Sequence, residues 1–253
     1  MLKIILSGCC GRMGRSISHQ LKDDQDVKIV AGVDISAEKY SDFPVYSTIF
    51  DVTEDADVVI DFSHHSAVGS ICEYCIEKNI PVVFCTTGYT EDELDLIDQT
   101  SKKIAVFRSA NMSLGINVLN NLCKKAAEIL KDSFDIEIVE MHHNQKLDAP
   151  SGTALLLADG IKTVVEDAEY VYDRHLERKK RSKNEIGIHA LRGGTVVGEH
   201  SVIFAGPNET VTLSHSALSR EVFASGAIKA AAFLKGKPAG LYNMDCLINE
   251  VLD

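Results

Sequence analysis

The sequence contains no apolar run that approaches the roughly 18 residues of a membrane-spanning helix. Its first residues, Met1-Leu2-Lys3, lead directly into a strand pattern without the features of a signal peptide. It also has no internal repeat and no low-complexity tract. These absences argue against a membrane protein and a repeat protein, and we expect a cytoplasmic location and no membrane partner.

The chain also lacks a broad basic surface and a second cysteine pair. Its 253 residues carry a formal net charge of −11, and the one dense basic cluster, at 174–183, is short, so we expect no nucleic-acid partner. Of seven cysteines, only Cys72 and Cys75 form a CxxC pair, and no second pair completes a zinc site. We therefore expect free thiols in a reducing compartment and no metal centre.

The first half of the chain alternates strand and helix patterns. Nearly continuous apolar strands separated by helices are typical of a parallel sheet covered on both faces. After a helix predicted over Met112–Lys131, the strands become alternating and are separated by glycine-rich turns, which indicates antiparallel or mixed pairing. The predicted strands are Lys3–Ser7, Val27–Val33, Val58–Asp61, Pro81–Cys85 and Ile104–Arg108, followed by Asp135–Met141, Ile186–Leu191, Thr195–Phe204 and Thr210–His215.

One short segment concentrates reactive side chains. Residues 140–155 read EMHHNQKLDAPSGTAL and contain His142, His143 and Lys146. Both histidines can give or take a proton near neutral pH, and the lysine adds a cation and another donor. The segment indicates a proton-transfer site for a small acid, although an exposed polar loop with a helix cap remains an alternative.

The same segment ends in a predicted helix start. Pro150 should stop the preceding chain, and Ser151 is a good N-cap for a helix that starts near Thr153. Such a start leaves the backbone N–H groups around Gly152 and Thr153 at the positive end of a helix dipole. These groups are suited to bind a carboxylate.

A glycine-rich turn follows the first predicted strand. Gly8, Gly11 and Gly14 lie between this strand and a helix, where a dinucleotide fold needs close backbone approach and N–H groups for a pyrophosphate. Asp34 ends the second strand about 20 residues later, where an acid binds ribose hydroxyls. The spacing is GxxGxxG rather than GxGxxG, and a tight structural turn is the alternative interpretation.

The residues of both segments resemble the signature of one enzyme family. The pattern HHxxKxDAPSGTA, which begins at His142, is similar to the substrate-site motif of dihydrodipicolinate reductase, also named 4-hydroxy-tetrahydrodipicolinate reductase. The turn GCCGRMGR resembles the nucleotide fingerprint of that family. Arg192-Gly-Gly, Gly198-Glu-His200 and Phe223-Ala-Ser-Gly226 extend the resemblance over essentially the whole chain.

The resemblance implies an activity and a role for each residue of the HHxxK segment. A nicotinamide delivers hydride to the ring of a cyclic dicarboxylic acid, and loss of water gives tetrahydrodipicolinate, on the diaminopimelate route to lysine. His142 is implied as the proton donor or relay and Lys146 as a second donor. His143 is implied as a substrate contact, and Gly152 and Thr153 as the groups that bind a substrate carboxylate.

The resemblance also implies which residues hold the dinucleotide. Stretches that follow the fourth and fifth strands lie at carboxyl ends of parallel strands, and in the family they border the nicotinamide. Cys85 and Met112 stand where the family commonly has glycine and phenylalanine. The predicted cofactor-binding residues are Gly8, Cys9, Cys10, Gly11, Arg12, Met13, Asp34, Cys85, Thr86, Thr87, Ser109, Ala110, Asn111 and Met112.

We therefore predict an α/β protein with two domains. A Rossmann-type, doubly wound parallel-sheet domain that binds the dinucleotide is expected at 1–112 and 217–253. An α+β domain with a mixed open sheet, for substrate binding and oligomerisation, is expected at 113–216. The resemblance implies a homotetramer joined through these sheets, with a monomer as the alternative.

Both NADH and NADPH are expected as cofactors, with NADH preferred. Asp34 should accept hydrogen bonds from ribose hydroxyls and repel the 2′-phosphate of NADPH. Many relatives have an arginine directly after this acid, whereas this chain has Ile35. Arg12 is the nearest cation that could compensate, and Lys39 is a more distant one.

Three other functions compete with this interpretation. The first is a different nicotinamide dehydrogenase, and the second is a regulatory protein that binds NAD without turnover. The third is a metal-dependent enzyme that uses His142 and His143, but adjacent residues on a strand point to opposite faces and no carboxylate partner is evident from the sequence.

Overall fold

The structure is a computed structural model that describes residues 1–175 and 178–252. The chain divides into two compact units. One unit comprises Met1–Leu114 and Arg220–Asp253, and the other comprises Gly115–Ser219. None of the helices within the described residues combines the length and the apolar character needed to cross a lipid bilayer.

The first unit contains a seven-stranded parallel sheet with helices between the strands. Its strands, numbered along the chain, are β1 (Leu2–Ser7), β2 (Val27–Val33), β3 (Val45–Tyr46), β4 (Val58–Asp61), β5 (Val82–Phe84), β6 (Ala105–Arg108) and β12 (Gly240–Tyr242). Their spatial order is β12-β6-β5-β4-β1-β2-β3. The helices that lie in this unit are α1 (Arg12–Gln20), α2 (Val68–Lys78), α3 (Glu91–Ser101), α6 (Glu221–Leu234) and α7 (Met244–Leu252). This order confirms the predicted doubly wound sheet.

Alternation along the buried strands supplies a core on each face of this sheet. Ile4 and Leu6 pack in one cluster with Ile17 of α1 and Ala227 of α6. Ile5, the residue between them, packs in the second cluster with side chains of α2 and α3. Both faces of β1 are therefore buried, which explains why its sequence is a continuous apolar run rather than an alternating one.

The second unit is built on a mixed five-stranded sheet. Its strands are β7 (Asp135–His142), β8 (Glu169–Val171), β9 (Glu185–Arg192), β10 (Gly198–Ala205) and β11 (Thr210–Ala217), in the order β11-β10-β7-β9-β8. β10 pairs antiparallel with β7 and β11, and β9 pairs parallel with β7 and β8, so the predicted mixed sheet is confirmed. Helices α4 (Leu114–Leu130) and α5 (Gly152–Lys162) contribute side chains to the core of this unit.

The structure corrects the sequence interpretation at several short elements. β10 begins at Gly198 and not at Thr195, because the turn that starts at Gly194, with a φ of +52°, includes Thr195. The strands β3, β8 and β12 were not predicted. They have two or three residues each and are too short to show a periodic pattern.

Candidate active site

The glycine turn of the first unit leaves no room for larger residues. Gly8 has a φ of +73°, and a Cβ there would lie 2.5 Å from the carbonyl oxygen of Phe62. A Cβ on Gly14 would lie 2.4 Å from the carbonyl oxygen of Gly8. Helix α1 starts after Gly11, which as its N-cap residue provides no side-chain hydrogen bond. The turn therefore presents the positive end of a helix to an anion.

Strand β1 lies between β2 and β4, so the strand order changes direction beside it. A cavity of about 610 Å³ opens there and is lined by Gly8, Gly11, Asp34 and Phe62, among others. Crevices at such a switch point are where open α/β sheets bind ligands. The Asp34 carboxylate accepts hydrogen bonds from Cys10 N (3.0 Å) and from Ser36 N and Oγ (3.1 Å each).

A second cavity of the first unit, of about 480 Å³, brings together five predicted cofactor residues. The predicted residues that line it are Arg12, Met13, Cys85, Thr86 and Thr87. The Asp61 carboxylate organises its base by accepting hydrogen bonds from Thr86 Oγ1 (2.9 Å) and Ser63 N (3.1 Å). Asp61 is 1% exposed, and burial raises the pKa of this carboxyl even though the hydrogen bonds act in the opposite direction.

The side chains of Met112 and Cys9 lie inside the core rather than in the two cavities. Met112 is 4% exposed and Cys9 is fully buried, so each can reach a ligand only through its backbone. Ser109 and Asn111 form the turn after β6, in which Ser109 Oγ donates to the Asn111 carbonyl oxygen at 3.0 Å. Ala110 lies between them and is exposed. The described residues that line the two cavities do not include Cys9, Ser109, Ala110, Asn111 or Met112.

Cys9, Cys10 and Asp34 form a group whose ligand atoms lie within 4.8 Å of one another. The two sulfur atoms are 3.9 Å apart. Burial and the neighbouring Cys10 raise the pKa of the Cys9 thiol to about 12. The Cys9 thiol is therefore protonated at neutral pH and packs inside the turn.

The second unit centres on a buried carboxylate at the end of β7. Glu140 has no exposed surface. Its oxygens accept hydrogen bonds from both terminal nitrogens of Arg192, at 2.8 and 2.9 Å, and from Ser151 N at 3.0 Å. His142 Nδ1 lies 2.6 Å from Glu140 Oε2. Burial raises the pKa of the Glu140 carboxyl, but the hydrogen bonds from Arg192 and His142 outweigh it and hold the pKa below its usual value.

Ser151 is the N-cap of α5, as predicted, and Gly152 is the first residue of that helix. The Oγ of Ser151 accepts a hydrogen bond from Ala154 N at 3.2 Å and lies 3.0 Å from His200 Nε2. A Cβ on Gly152 would meet no atom within 4 Å, so the space in front of this helix end is open. Thr153 follows within the first helical turn. The helix start can therefore receive an anion at its N–H groups.

Lys146 and His143 lie in the loop that leaves β7. The Nζ atom of Lys146 pairs with the Asp148 carboxylate at 2.8 Å, and that hydrogen bond lowers the pKa of the Asp148 carboxyl. The carbonyl of Asp148 in turn accepts from Arg192 at 2.6 Å, which ties the loop to the buried carboxylate. His143 Nδ1 accepts a hydrogen bond from Gln145 N at 3.2 Å.

His200 of β10 forms one wall of this site. Its ring packs edge-on against the ring of His142, with centroids 5.1 Å apart. Burial and the neighbouring His142 lower the pKa of His200 to about 4. His200 is therefore neutral at neutral pH and adds no competing charge beside His142.

The sequence interpretation missed the roles of Glu140, Arg192 and His200. It used Arg192 only as part of the Arg192-Gly-Gly motif and Glu140 only as the start of a segment. A usable signal was present, because Ile136, Ile138 and Glu140 share the inward face of the alternating strand β7. A charged side chain at an inward position requires a partner, and here that partner is Arg192.

The chain is similar to known proteins along nearly its whole length. Residues 2–112 match the family model described as "Dihydrodipicolinate reductase, N-terminus", and 115–248 match "Dihydrodipicolinate reductase, C-terminus". The chain is 58% identical over 251 residues to the 4-hydroxy-tetrahydrodipicolinate reductase of Clostridium tetani (strain Massachusetts / E88), with 99% of this chain and 98% of that protein covered. A protein of the same name from Caldanaerobacter subterraneus subsp. tengcongensis is 55% identical over 251 residues, with 99% of each covered.

Two solved structures are also similar to this chain. A dipicolinate-bound dihydrodipicolinate reductase from Paenisporosarcina sp. TG-14 superimposes with a TM-score of 0.79 at 25% identity, covering 96% of this chain and 97% of that one. The diaminopimelate (DAP) dehydrogenase of C. glutamicum superimposes with a TM-score of 0.59 at 14% identity, over 99% of this chain and 98% of that one. The second likeness concerns the fold alone.

Proposed function

The chain belongs to the dihydrodipicolinate reductase family, and on that premise we propose that it reduces 4-hydroxy-tetrahydrodipicolinate to tetrahydrodipicolinate with NAD(P)H and loss of water. This reaction lies on the diaminopimelate route to lysine. The observation that carries the proposal is that one buried carboxylate, Glu140, links the predicted proton donor His142 to the predicted carboxylate-binding helix start at Ser151. The domains at 1–112 with 217–253 and at 113–216 would bind the dinucleotide and the substrate, respectively.

The dinucleotide fits the residues of the first unit. The glycine turn gives the close approach that a pyrophosphate needs, and the uncapped start of α1 supplies N–H groups for it. Asp34 would hold the adenosine ribose, and Thr86, Thr87 and the backbone of the turn after β6 would border the nicotinamide. When bound, the reduced dinucleotide supplies a hydride to the substrate ring.

The residues of the second unit would bind and protonate the substrate. Gly152 and Thr153 would bind one carboxylate at the start of α5, and His143 would contact the substrate beside it. Lys146 would exchange its partner Asp148 for the substrate, since ion pairs that are partly exposed cost little to separate. Negative charge that develops on the ring would then be protonated by His142 or Lys146.

The activity is tested by a coupled assay with enzymatically made substrate. We expect oxidation of NADH that depends on both substrate and enzyme, and NADPH should also serve. Tight binding of NADH without any turnover would instead support a regulatory protein that only senses the dinucleotide.

NADH is expected to be preferred over NADPH by about tenfold in kcat/KM, which corresponds to about 1.4 kcal/mol. The cavity that contains Asp34 has no lysine or arginine among its described lining residues, and Ile35 is 96% exposed. Arg12 lines the other cavity, with Thr86. The carboxylate would therefore face the 2′-phosphate of NADPH without a strong cation beside it.

This preference is checked by steady-state kinetics with both cofactors. Asp34→Asn should narrow the difference, and adding Ile35→Arg should close or reverse it. A wild-type enzyme that uses NADPH more efficiently would show that the proposed ribose pocket is wrong.

We also propose a homotetramer joined through the five-stranded sheets. Side chains of the sheet alternate, so that Ile136 and Ile138 of β7 are buried in the unit while Val139 and Met141 point to the opposite face. On that face Leu191 is 50% exposed. A face with apolar side chains left at the surface is suited to pair with another copy. Sedimentation velocity at micromolar concentration should give a tetramer, and a monomer would contradict the proposal.

A further inference from the structure

We propose that Glu140, held in place by Arg192, is a positioning residue that fixes the ring of His142 for proton transfer and ties it to the substrate-binding start of α5. The inference rests on the proposed function, because it concerns the same site. It goes beyond that function by assigning a role to two residues that are not among the proposed substrate-binding or dinucleotide-binding residues.

The contact with Glu140 fixes the orientation of the His142 ring. An ionised carboxylate can only accept hydrogen bonds, so Nδ1 of His142 must be the donor in its 2.6 Å contact with Glu140. The hydrogen on this ring is thereby placed on Nδ1, which leaves Nε2 as the nitrogen that can exchange a proton with the substrate.

Glu140 stays ionised although it is fully buried. A buried carboxylate is stable only when it is paired and hydrogen-bonded. Arg192 supplies a bidentate pair from the neighbouring strand β9, where it stands opposite His142 in the parallel register. The Arg192 side chain is 20% exposed, so this pair is largely shielded from solvent.

Glu140 also couples the two halves of the site, which are His142 and the start of α5. Oε2 of Glu140 faces His142, while Oε1 accepts from Ser151 N, the residue before Gly152. The proton donor and the helix start therefore have their positions set by the two oxygens of one carboxylate. Loss of the carboxylate should affect both proton transfer and substrate binding.

The surroundings of His142 contain few other charges that could take over this role. Besides Glu140 on its own strand, it faces Arg192 from β9 and His200 from β10, and Lys146 and Asp148 lie in the loop that follows. His200 packs against the His142 ring and is neutral at neutral pH. Asp148 is paired with Lys146. Glu140 is thus the carboxylate that contacts the ring among the described residues.

The test compares Glu140→Gln with the wild-type enzyme in kcat, KM and the tautomer of the His142 ring. Glutamine keeps the size of the side chain but removes the charge. We expect kcat to fall about 10–100-fold, part of the 10²–10⁴-fold that a positioned acid contributes. We also expect the His142 ring, observed by 15N NMR, to lose its fixed Nδ1–H tautomer, because a glutamine at 140 can donate as well as accept a hydrogen bond. A purely structural role would not change the tautomer.

Two further variants keep the result interpretable. Glu140→Gln leaves Arg192 unpaired, so the double variant Glu140→Gln with Arg192→Met removes that buried charge and should restore thermal stability without restoring kcat. Glu199→Gln removes an exposed carboxylate of β10 and should leave kcat and the His142 tautomer unchanged. A folded double variant with kcat within about twofold of wild type, or with an unchanged His142 tautomer, would overturn the inference. If the wild-type enzyme itself did not reduce the substrate, the proposed function would fail instead.

Discussion

Replacing Lys146 or His142 with alanine is expected to lower kcat about 10²–10⁴-fold while NADH binding remains intact. The two side chains lie in the second unit, whereas the glycine turn and Asp34 lie in the first, so neither substitution removes a proposed dinucleotide contact. Both groups should act after hydride movement begins, when negative charge must be protonated. Their loss should therefore appear in kcat more than in KM.

This expectation is measured at saturating substrate, with NADH affinity followed by fluorescence titration. His189→Ala is a matched control, because His189 lies on the same sheet and also contacts a carboxylate, Glu137 Oε2 at 2.8 Å. Lys162→Ala is the control for loss of a lysine, since its ammonium group lies over the ring of Tyr170 and it is not a proposed site residue. Near-normal turnover in either site variant would remove that residue from the mechanism.

Gly152→Ala is expected to raise KM for the substrate about 10–100-fold without weakening the fold. An added Cβ would meet no protein atom within 4 Å, and alanine favours a helix more than glycine does. The open space is the space that we assign to the substrate carboxylate. A methyl group there would displace the carboxylate from the N–H groups, and charge-assisted hydrogen bonds contribute about 1.5–3 kcal/mol each.

The matched control is Gly69→Ala in α2, another helical glycine with no atom within 4 Å of an added Cβ. Both variants should unfold at or slightly above the wild-type temperature, because alanine reduces the entropy of the unfolded chain. Only Gly152→Ala should change KM. An unchanged KM in Gly152→Ala would mean that the substrate carboxylate lies elsewhere.

The long elements could be predicted from the sequence because their signals are local. Helix α3, Glu91–Ser101, begins with a capping box between Thr90 and Glu93, which is a local signal that can be seen in the sequence. Strands β2 and β4 have the predicted bounds, since β2 is followed directly by Asp34 and β4 ends at Asp61. Elements of two or three residues, such as β3 and β12, depend on pairing with distant strands and carry no periodic signal of their own.

The candidate site was predictable only in part, for a related reason. His142, Lys146 and the Ser151 cap lie within one segment, so their combination is visible along the chain. Arg192 lies about 50 residues away and reaches Glu140 only because β9 pairs with β7 in parallel register. Parallel pairing requires a long connection, and sequence spacing does not reveal which residues it brings together.

The first unit is assembled from two segments of chain that are separated by the whole of the second. Helix α6 buries Ala224, Ala227 and Leu234 in the core that also contains Ile4 and Leu6. A nascent polypeptide that ends before Glu221 lacks α6, so the part of this sheet face that α6 covers stays exposed to water even after α1 has packed. The contiguous second unit can complete its own core while still attached to the ribosome. The first unit is therefore synthesised first but completes its folding last. Contacts between residues so far apart in sequence also slow folding.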